Sequence, residues 1–293
     1  MKNIGLGCMR ILGLSIEEIE KLIECALENG VTLFDHADIY GDRKCEEKFG
    51  EVLKRRPELR EKMVIQSKCG ICKGYYDLSK EHIINQVLES IRLLNCGYLD
   101  ILLLHRPDAL VDYNEVNEAF NYLYDNGYVK EFGVSNMNSM QIELYNKHLD
   151  HKMKHNQIQL SIVHSLAIQE GICVNMTVPE AINRTGSIIE YSMLNDIKLQ
   201  AWSPVMASWS DGTFIDNPKY ERLNIRLEEL ANKYNVTKNA IAISWIFRHP
   251  ANITPIVGTT SIVHLLEMIK AKDINLTKEE WYSLYIAANY LLP

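Results

Sequence analysis

The sequence has no excess of positive charge. Of its 293 residues, 31 are Lys or Arg and 38 are Asp or Glu, a formal net charge of −7. No basic run exceeds Lys54-Arg55-Arg56, and Glu51 and Glu58 flank that one. Nucleic-acid binders carry a basic patch or stripe, so no nucleic-acid partner is expected. Long apolar runs are also missing. The densest, 99–104, is interrupted by Asp100, and a bilayer span takes roughly 20 apolar residues. The opening Met1-Lys2-Asn3-Ile4-Gly5 has no apolar h-region, so neither a secretory signal nor a membrane association is expected. The nucleotide motif GxGxxG is incomplete: Gly5-Leu6-Gly7 runs into Cys8, Met9 and Arg10 without a third glycine. No P-loop, GxSxG or HExxH occurs.

Cysteine is present, but not in a framework. Cys8, Cys25, Cys45, Cys69, Cys72, Cys96 and Cys173 are odd in number and widely scattered. Reduced thiols and a cytoplasmic location are the expectation. Cys69-Gly-Ile-Cys72 is a lone CxxC, with no second pair or pair of spaced histidines following it. It reads as two reduced thiols near a strand end.

What the sequence does have is a regular alternation. Apolar residues make up 47% and charged residues 24%, ordinary for a globular chain. Eight short apolar runs, at 4–8, 31–35, 63–67, 98–104, 129–134, 156–160, 198–202 and 253–257, read as strands. Most are continuous rather than alternating, as in parallel strands covered on both faces. Amphipathic segments lie between them. Ser15-Ile-Glu-Glu18 and Thr277-Lys-Glu-Glu280 are capping boxes, and Ser79 and Thr237 are further helix starts. Residues 171–186 read as an extended loop. Length alone favours two domains at about 150 residues each, yet eight βα units fit one barrel. The expected fold is α/β, a (β/α)8 TIM barrel with extra C-terminal helices, as a single domain over 1–293.

Barrel chemistry sits where strands end and βα loops begin. Those positions read Asp35-His36-Ala37-Asp38-Ile39-Tyr40-Gly41, Gln66-Ser67-Lys68, His105-Arg106-Pro107-Asp108, Gly133-Val134-Ser135-Asn136, Asn156-Gln157, Trp202-Ser203-Pro204 and Gly258-Thr259-Thr260. Taken singly, Asp35 reads as a cap or salt bridge, His105 and Tyr40 as packing, and Trp202 as core. The ordered series carries more. Over essentially its whole length the chain resembles the aldo-keto reductases. The motifs DHADIYG, SKCGI, HRPD and GVSN most resemble the bacterial YdhF-like oxidoreductases.

The resemblance implies a catalytic tetrad of Asp35, Tyr40, Lys68 and His105. Reducing a carbonyl takes a hydride on carbon and a proton on oxygen, and a nicotinamide supplies the hydride. A phenol is a poor acid at neutral pH. A neighbouring ammonium lowers its pKa, so Lys68, fixed by Asp35, is expected to activate Tyr40 as general acid. His105 is expected to orient the carbonyl oxygen.

The resemblance also implies that Ser135, Asn136 and Gln157 hold the cofactor carboxamide and that Trp202 stacks on its ring. Ser203, Val205 and Met206 then line the pyrophosphate path, with Gly258, Thr259, Ser261, His264 and Glu267 at the adenosine end. The expected cofactor is NADP(H). NAD(H) remains open because Ser261 and His264 stand where Lys or Arg commonly reads the 2′-phosphate. No metal is expected. His164 borders the expected substrate pocket; His36, His82, His148, His151, His155 and His249 are read as structural. The chain opens almost at its first strand, where many members of the resembled family carry an extra hairpin closing the barrel base, and its short tail after the last helix implies an open pocket. The expected activity is reduction of aldehydes or ketones, with no protein partner implied. The alternative is a cofactor-binding redox sensor or regulatory subunit with weak turnover, since a sensor can keep the tetrad.

Overall fold

The computed structural model describes residues 2–292. Through the first half, strand and helix alternate as β1 (Gly5–Gly7), α1 (Ile16–Glu28), β2 (Leu33–Asp35), α2 (Lys44–Arg55), β3 (Val64–Cys69), α3 (Lys80–Leu94), β4 (Leu99–Leu104), α4 (Tyr113–Asp125), β5 (Val129–Ser135), α5 (Ser139–His148) and β6 (Met153–Gln159). The second half holds α6 (Leu166–Ile172), α7 (Ile188–Leu194), β7 (Lys198–Trp202), the short strands β8 (Met206–Ser208) and β9 (Gly212–Thr213), α8 (Glu221–Tyr234), α9 (Lys238–Phe247), β10 (Thr254–Val257), α10 (Ile262–Ile269) and α11 (Lys278–Ala287). Eight strands close a barrel in the order β1-β10-β7-β6-β5-β4-β3-β2. The fold is therefore the expected (β/α)8 barrel, with α11 added at the C-terminal side. No helix among the described residues is long and apolar enough to cross a membrane.

The strands fall on the apolar runs with small shifts. β3 runs two residues past its expected end and takes in Lys68 and Cys69. β6 starts three residues early, at Met153. Its first residues alternate buried and exposed, Met153 in and Lys154 out, so a search for continuous apolar runs passes over them. The hairpin β8–β9 lies outside the expected strands; residues 209–211 turn the chain, and Gly212 opens β9 at φ +70°.

Close contacts group the chain into two compact units, one of residues 5–157 and 258–262, the other of the described residues among 1–4, 158–257 and 263–293. In the first unit the parallel registers set the site. Asp35 of β2 pairs with Gln66 of β3, and Lys68 of β3 with Leu103 of β4. Side chains at these strand ends therefore rise to one level. The helices seat as their caps predict. Ser15 and Glu18 exchange hydrogen bonds of 2.7 and 3.2 Å at the start of α1, which then buries Ile19, Leu22, Ile23 and Ala26.

In the second unit, Trp245 of α9 and Trp281 of α11 stack at 4.7 Å with rings 4° apart. Each indole N–H donates to the other's backbone carbonyl, at 3.2 and 2.9 Å. The segment 171–186 is shorter as a loop than expected, because α6 runs to Ile172 and a 3-10 turn spans Pro179–Ala181. The Glu170 carboxylate then accepts the backbone N–H groups of Arg184, Thr185 and Ser187 at 2.9 to 3.1 Å and the Thr185 hydroxyl. One buried side chain thus orders a polar stretch that has no apolar period of its own.

Candidate active site

The ends of β2, β3 and β4 bring four side chains together in the first unit. Asp35 closes β2, Lys68 lies in β3, His105 follows β4, and Tyr40 sits in the turn after β2. That turn is held by Tyr40 N–H on Ala37 O at 3.0 Å and Asp38 N–H on Lys68 O at 3.1 Å. The Lys68 ammonium lies 2.7 and 2.8 Å from the two Asp35 oxygens, 2.9 Å from His36 O and 3.1 Å from the Tyr40 hydroxyl. An ammonium has three N–H donors and no acceptor. One each to Asp35, His36 and Tyr40 uses them all. Tyr40 oxygen accepts, which leaves its own O–H to donate elsewhere.

The electrostatics follow from burial. Lys68 and Asp35 are each almost fully inaccessible, at 1% and 2% exposure. Desolvation pushes the lysine pKa down, but Asp35 and Tyr40 outweigh it, and the net shift is upward. Lys68 is therefore charged at neutral pH. For Tyr40, desolvation raises the pKa, Lys68 pulls it down, and Asp35 raises it again. The net is above an ordinary phenol. The expected lowering is thus present as the Lys68 contribution but is outweighed by burial. His105 is held well below an ordinary imidazole by burial, with Lys68 and Arg106 adding to it. It is neutral, and its ring crosses that of Tyr40 at 82° with centroids 6.3 Å apart.

Behind the lysine, Gln66 and Gln157 donate to Asp35 Oδ1 at 2.6 and 3.0 Å. Gln157 leads to the next group. Its carbonyl accepts the Ser135 hydroxyl and the Asn136 N–H, both at 3.0 Å, and Asn136 Nδ2 donates to Ser135 Oγ at 2.7 Å. Asn136 holds φ +56°, a conformation asparagine tolerates better than most residues. Ser135, Asn136 and Gln157 are therefore brought together, one link from Asp35.

The remaining expected residues fall in two places. Gly258, Thr259 and Ser261 belong to the first unit, on the loop into α10, with the Ser261 N–H on Thr259 Oγ1 at 3.1 Å. In the second unit, Trp202 ends β7 half-buried, Ser203 takes φ +53°, and the Met206 N–H donates to Ser203 O at 3.1 Å. Val205 lies between them, and the Val205 carbonyl accepts the Thr213 hydroxyl at 2.8 Å. His264 is exposed and Glu267 half-buried on α10.

The sequence reading missed a buried polar layer under the site. Gln66 is fully buried on Asp35. Glu46 of α2, fully buried, accepts Ser67 Oγ at 2.6 Å and Ser90 Oγ at 3.0 Å; desolvation raises its pKa. Asp38 is 6% exposed, and its Oδ1 has no hydrogen-bond partner among the described residues. Desolvation lifts its pKa to about 7. The one signal for this layer was polarity inside apolar periods, at Gln66 and Ser67 in β3.

Residues 3–288 match the model of the Aldo/keto reductase family. The chain is 32% identical to oxidoreductase YdhF of Escherichia coli, over 97% of this chain and 92% of YdhF. Its fold is similar to a thermostable aldo-keto reductase solved with the inhibitor epalrestat, with a TM-score of 0.76, 24% identity, and 97% and 94% of the two chains covered. It is also similar to a Bombyx mori aldo-keto reductase solved with NADP, with a TM-score of 0.72, 22% identity, and 100% and 91% covered. The chain belongs to the aldo/keto reductase family.

Proposed function

We propose that this chain is a nicotinamide-dependent reductase of aldehydes or ketones, with Tyr40 as general acid. The observation that carries the reading is the fully used Lys68 ammonium, which leaves the Tyr40 O–H as the one donor of the pair free to reach a substrate oxygen. The family membership supports the same reaction class.

The residues present fit a nicotinamide. Ser135, Asn136 and Gln157 form a compact set of amide and hydroxyl groups beside the tetrad, suited to a carboxamide that both donates and accepts. The loop 258–261 opens a helix, where backbone N–H groups favour phosphate. As the resemblance implies, Trp202 would stack on the ring, Ser203, Val205 and Met206 would follow the pyrophosphate, and His264 and Glu267 would face the adenosine end. A bound reduced nicotinamide supplies hydride to the carbonyl carbon. Neutral His105 donates a hydrogen bond to the carbonyl oxygen and orients it. Tyr40 gives its proton to that oxygen as negative charge builds there. The phenolate left behind faces the charged Lys68, which stabilises it until solvent returns a proton. Asp35 keeps the lysine charged and in place.

NADP(H) is the expected cofactor on the family resemblance, and the absence of Lys or Arg at Ser261 and His264 leaves NAD(H) as a usable second. The test is oxidation of NADPH and NADH followed at neutral pH against a panel of aldehydes and ketones. Turnover of at least one carbonyl, abolished in Tyr40→Phe, is expected. Tight cofactor binding without turnover of any carbonyl would overturn the assignment and favour a sensor.

A further inference from the structure

The lone CxxC acquires partners in the fold that its sequence spacing does not show. Cys72 lies in the loop between β3 and α3, half-buried. His82 stands in the first turn of α3, with its Nε2 3.8 Å from Cys72 Sγ. The other ring nitrogen, His82 Nδ1, is 3.7 Å from Asp77 Oδ2. One donor atom each from Cys72, Asp77 and His82 lies within 4.8 Å of the other two. These are a sulfur, an imidazole nitrogen and a carboxylate oxygen, and they come from three points of an eleven-residue segment, 72–82.

The segment is built rather than loose. Ile71 and Tyr76 form an antiparallel bridge. The Cys72 N–H donates to Tyr75 O at 3.0 Å, and the Asp77 N–H to Gly70 O at 3.0 Å. Asp77 Oδ1 accepts the Ser79 N–H at 2.9 Å, which leaves Oδ2 turned to the histidine. Ser79 in turn caps α3 through the His82 N–H at 3.4 Å. Gly70, at φ +107°, takes the backbone through a conformation that side chains disfavour. The three donors are therefore held close before anything binds, so little ordering cost is left for binding.

We propose that Cys72, Asp77 and His82 bind one divalent cation of the zinc class, with water completing four-coordination. The donor set selects the metal. Thiolate with imidazole suits zinc, whereas calcium and magnesium take six or more oxygens. Zinc bonds of roughly 2.0–2.3 Å place tetrahedral donors about 3.3–3.7 Å apart, so closure asks only for small side-chain movements. A disulfide with Cys69 is the chemical competitor. Cys69 is 2% exposed, and burial pushes its thiol well up, which makes it a poor partner for exchange. A bound cation would brace the loop that carries exposed Tyr75 and Tyr76, seven and eight residues beyond Lys68 in the chain. The proposal stands whether or not the chain reduces carbonyls.

Cobalt(II) titration of the full-length, reduced protein tests it, because thiolate ligation gives a charge-transfer band in the near ultraviolet and four-coordination gives intense visible bands. One equivalent should saturate both, zinc should displace it, and zinc should raise the melting temperature. Cys72→Ser should abolish the charge-transfer band, and His82→Gln and Asp77→Asn should each weaken binding at least about tenfold. Cys25→Ser, a half-buried thiol elsewhere, should change nothing. Far-UV circular dichroism and the metal-free melting temperature check that each variant is folded. No thiolate band in the wild type, or an unchanged band in Cys72→Ser, would overturn the proposal.

Discussion

Lys68 Nζ donates to the Tyr40 hydroxyl oxygen across 3.1 Å, so the lysine holds the phenol by its lone pair and leaves its proton pointing away. Removing that proton is the cleanest perturbation of the site. Tyr40→Phe deletes one oxygen and keeps the ring beside His105. Turnover should fall by at least about 100-fold, the scale of general acid catalysis. Cofactor affinity, read by fluorescence titration, should stay nearly constant. Near-normal carbonyl reduction by this variant would remove Tyr40 from the acid role.

Charge at Lys68 makes a separate prediction. The lysine is what pulls the Tyr40 pKa down against burial and Asp35. Lys68→Met deletes that pull, so the phenol pKa rises. The limb of the pH–rate profile on which Tyr40 loses its proton should move to higher pH. Activity should also drop steeply, because the phenolate left by proton transfer no longer faces a cation. A profile of unchanged shape and height would show that the 3.1 Å contact is structural only.

The barrel and this pair of strand ends were legible in the sequence for one physical reason. Strands buried on both faces leave continuous apolar runs, and polar residues gather toward their C-terminal ends, as Asp35, Lys68 and Ser135 do. Glu46 was not legible. It lies in a helix already rich in charge, next to Glu47, and nothing local distinguishes the buried carboxylate from the exposed one. Its burial follows from Ser67 and Ser90, 21 and 44 residues away. The Cys72–Asp77–His82 grouping was hidden for the same reason: the β3–α3 turn sets it, and a search for paired CxxC motifs does not.

Gly50 tests how tightly α2 and α3 pack. A Cβ placed there would stand 1.8 Å from the Leu93 carbonyl oxygen. Alanine in an open helix position would stabilise by about 0.5–1 kcal/mol relative to glycine. Here the obstacle is backbone, so the helices must separate, at a cost of about 1–3 kcal/mol or more. Gly50→Ala should therefore lower the urea midpoint. A higher midpoint would show that the two helices are not in this close contact.

Asp38 links stability to pH. Its folded pKa of about 7 lies above the ordinary carboxylate value of 3.8. Between those values the folded state holds a proton that the unfolded chain releases, so this group's contribution falls as pH rises from about 4 to 7. Above pH 7 a buried carboxylate is left charged with Oδ1 unpartnered among the described residues. Asp38→Asn, uncharged at every pH, should melt higher than the wild type at pH 8 and lose that advantage toward pH 5. The difference should amount to a few degrees. Identical melting curves for both proteins across this range would show that the carboxyl titrates normally.

The proposed cofactor site makes its sharpest prediction at His264, exposed in the first turn of α10. No Lys or Arg occurs in the stretch Gly258-Thr-Thr-Ser-Ile-Val-His264-Leu-Leu-Glu267. Hydroxyls at Thr259, Thr260 and Ser261 can donate to a 2′-phosphate, but no permanent cation accompanies them in this stretch. His264→Arg places a guanidinium there, always charged and shaped for phosphate oxygens. The ratio of kcat/KM for NADPH over NADH should then increase by roughly threefold to tenfold, the scale of one charge-assisted contact. An unchanged ratio in His264→Arg would mean that other residues read the phosphate, and would remove His264 from the adenosine end of the proposed cofactor site.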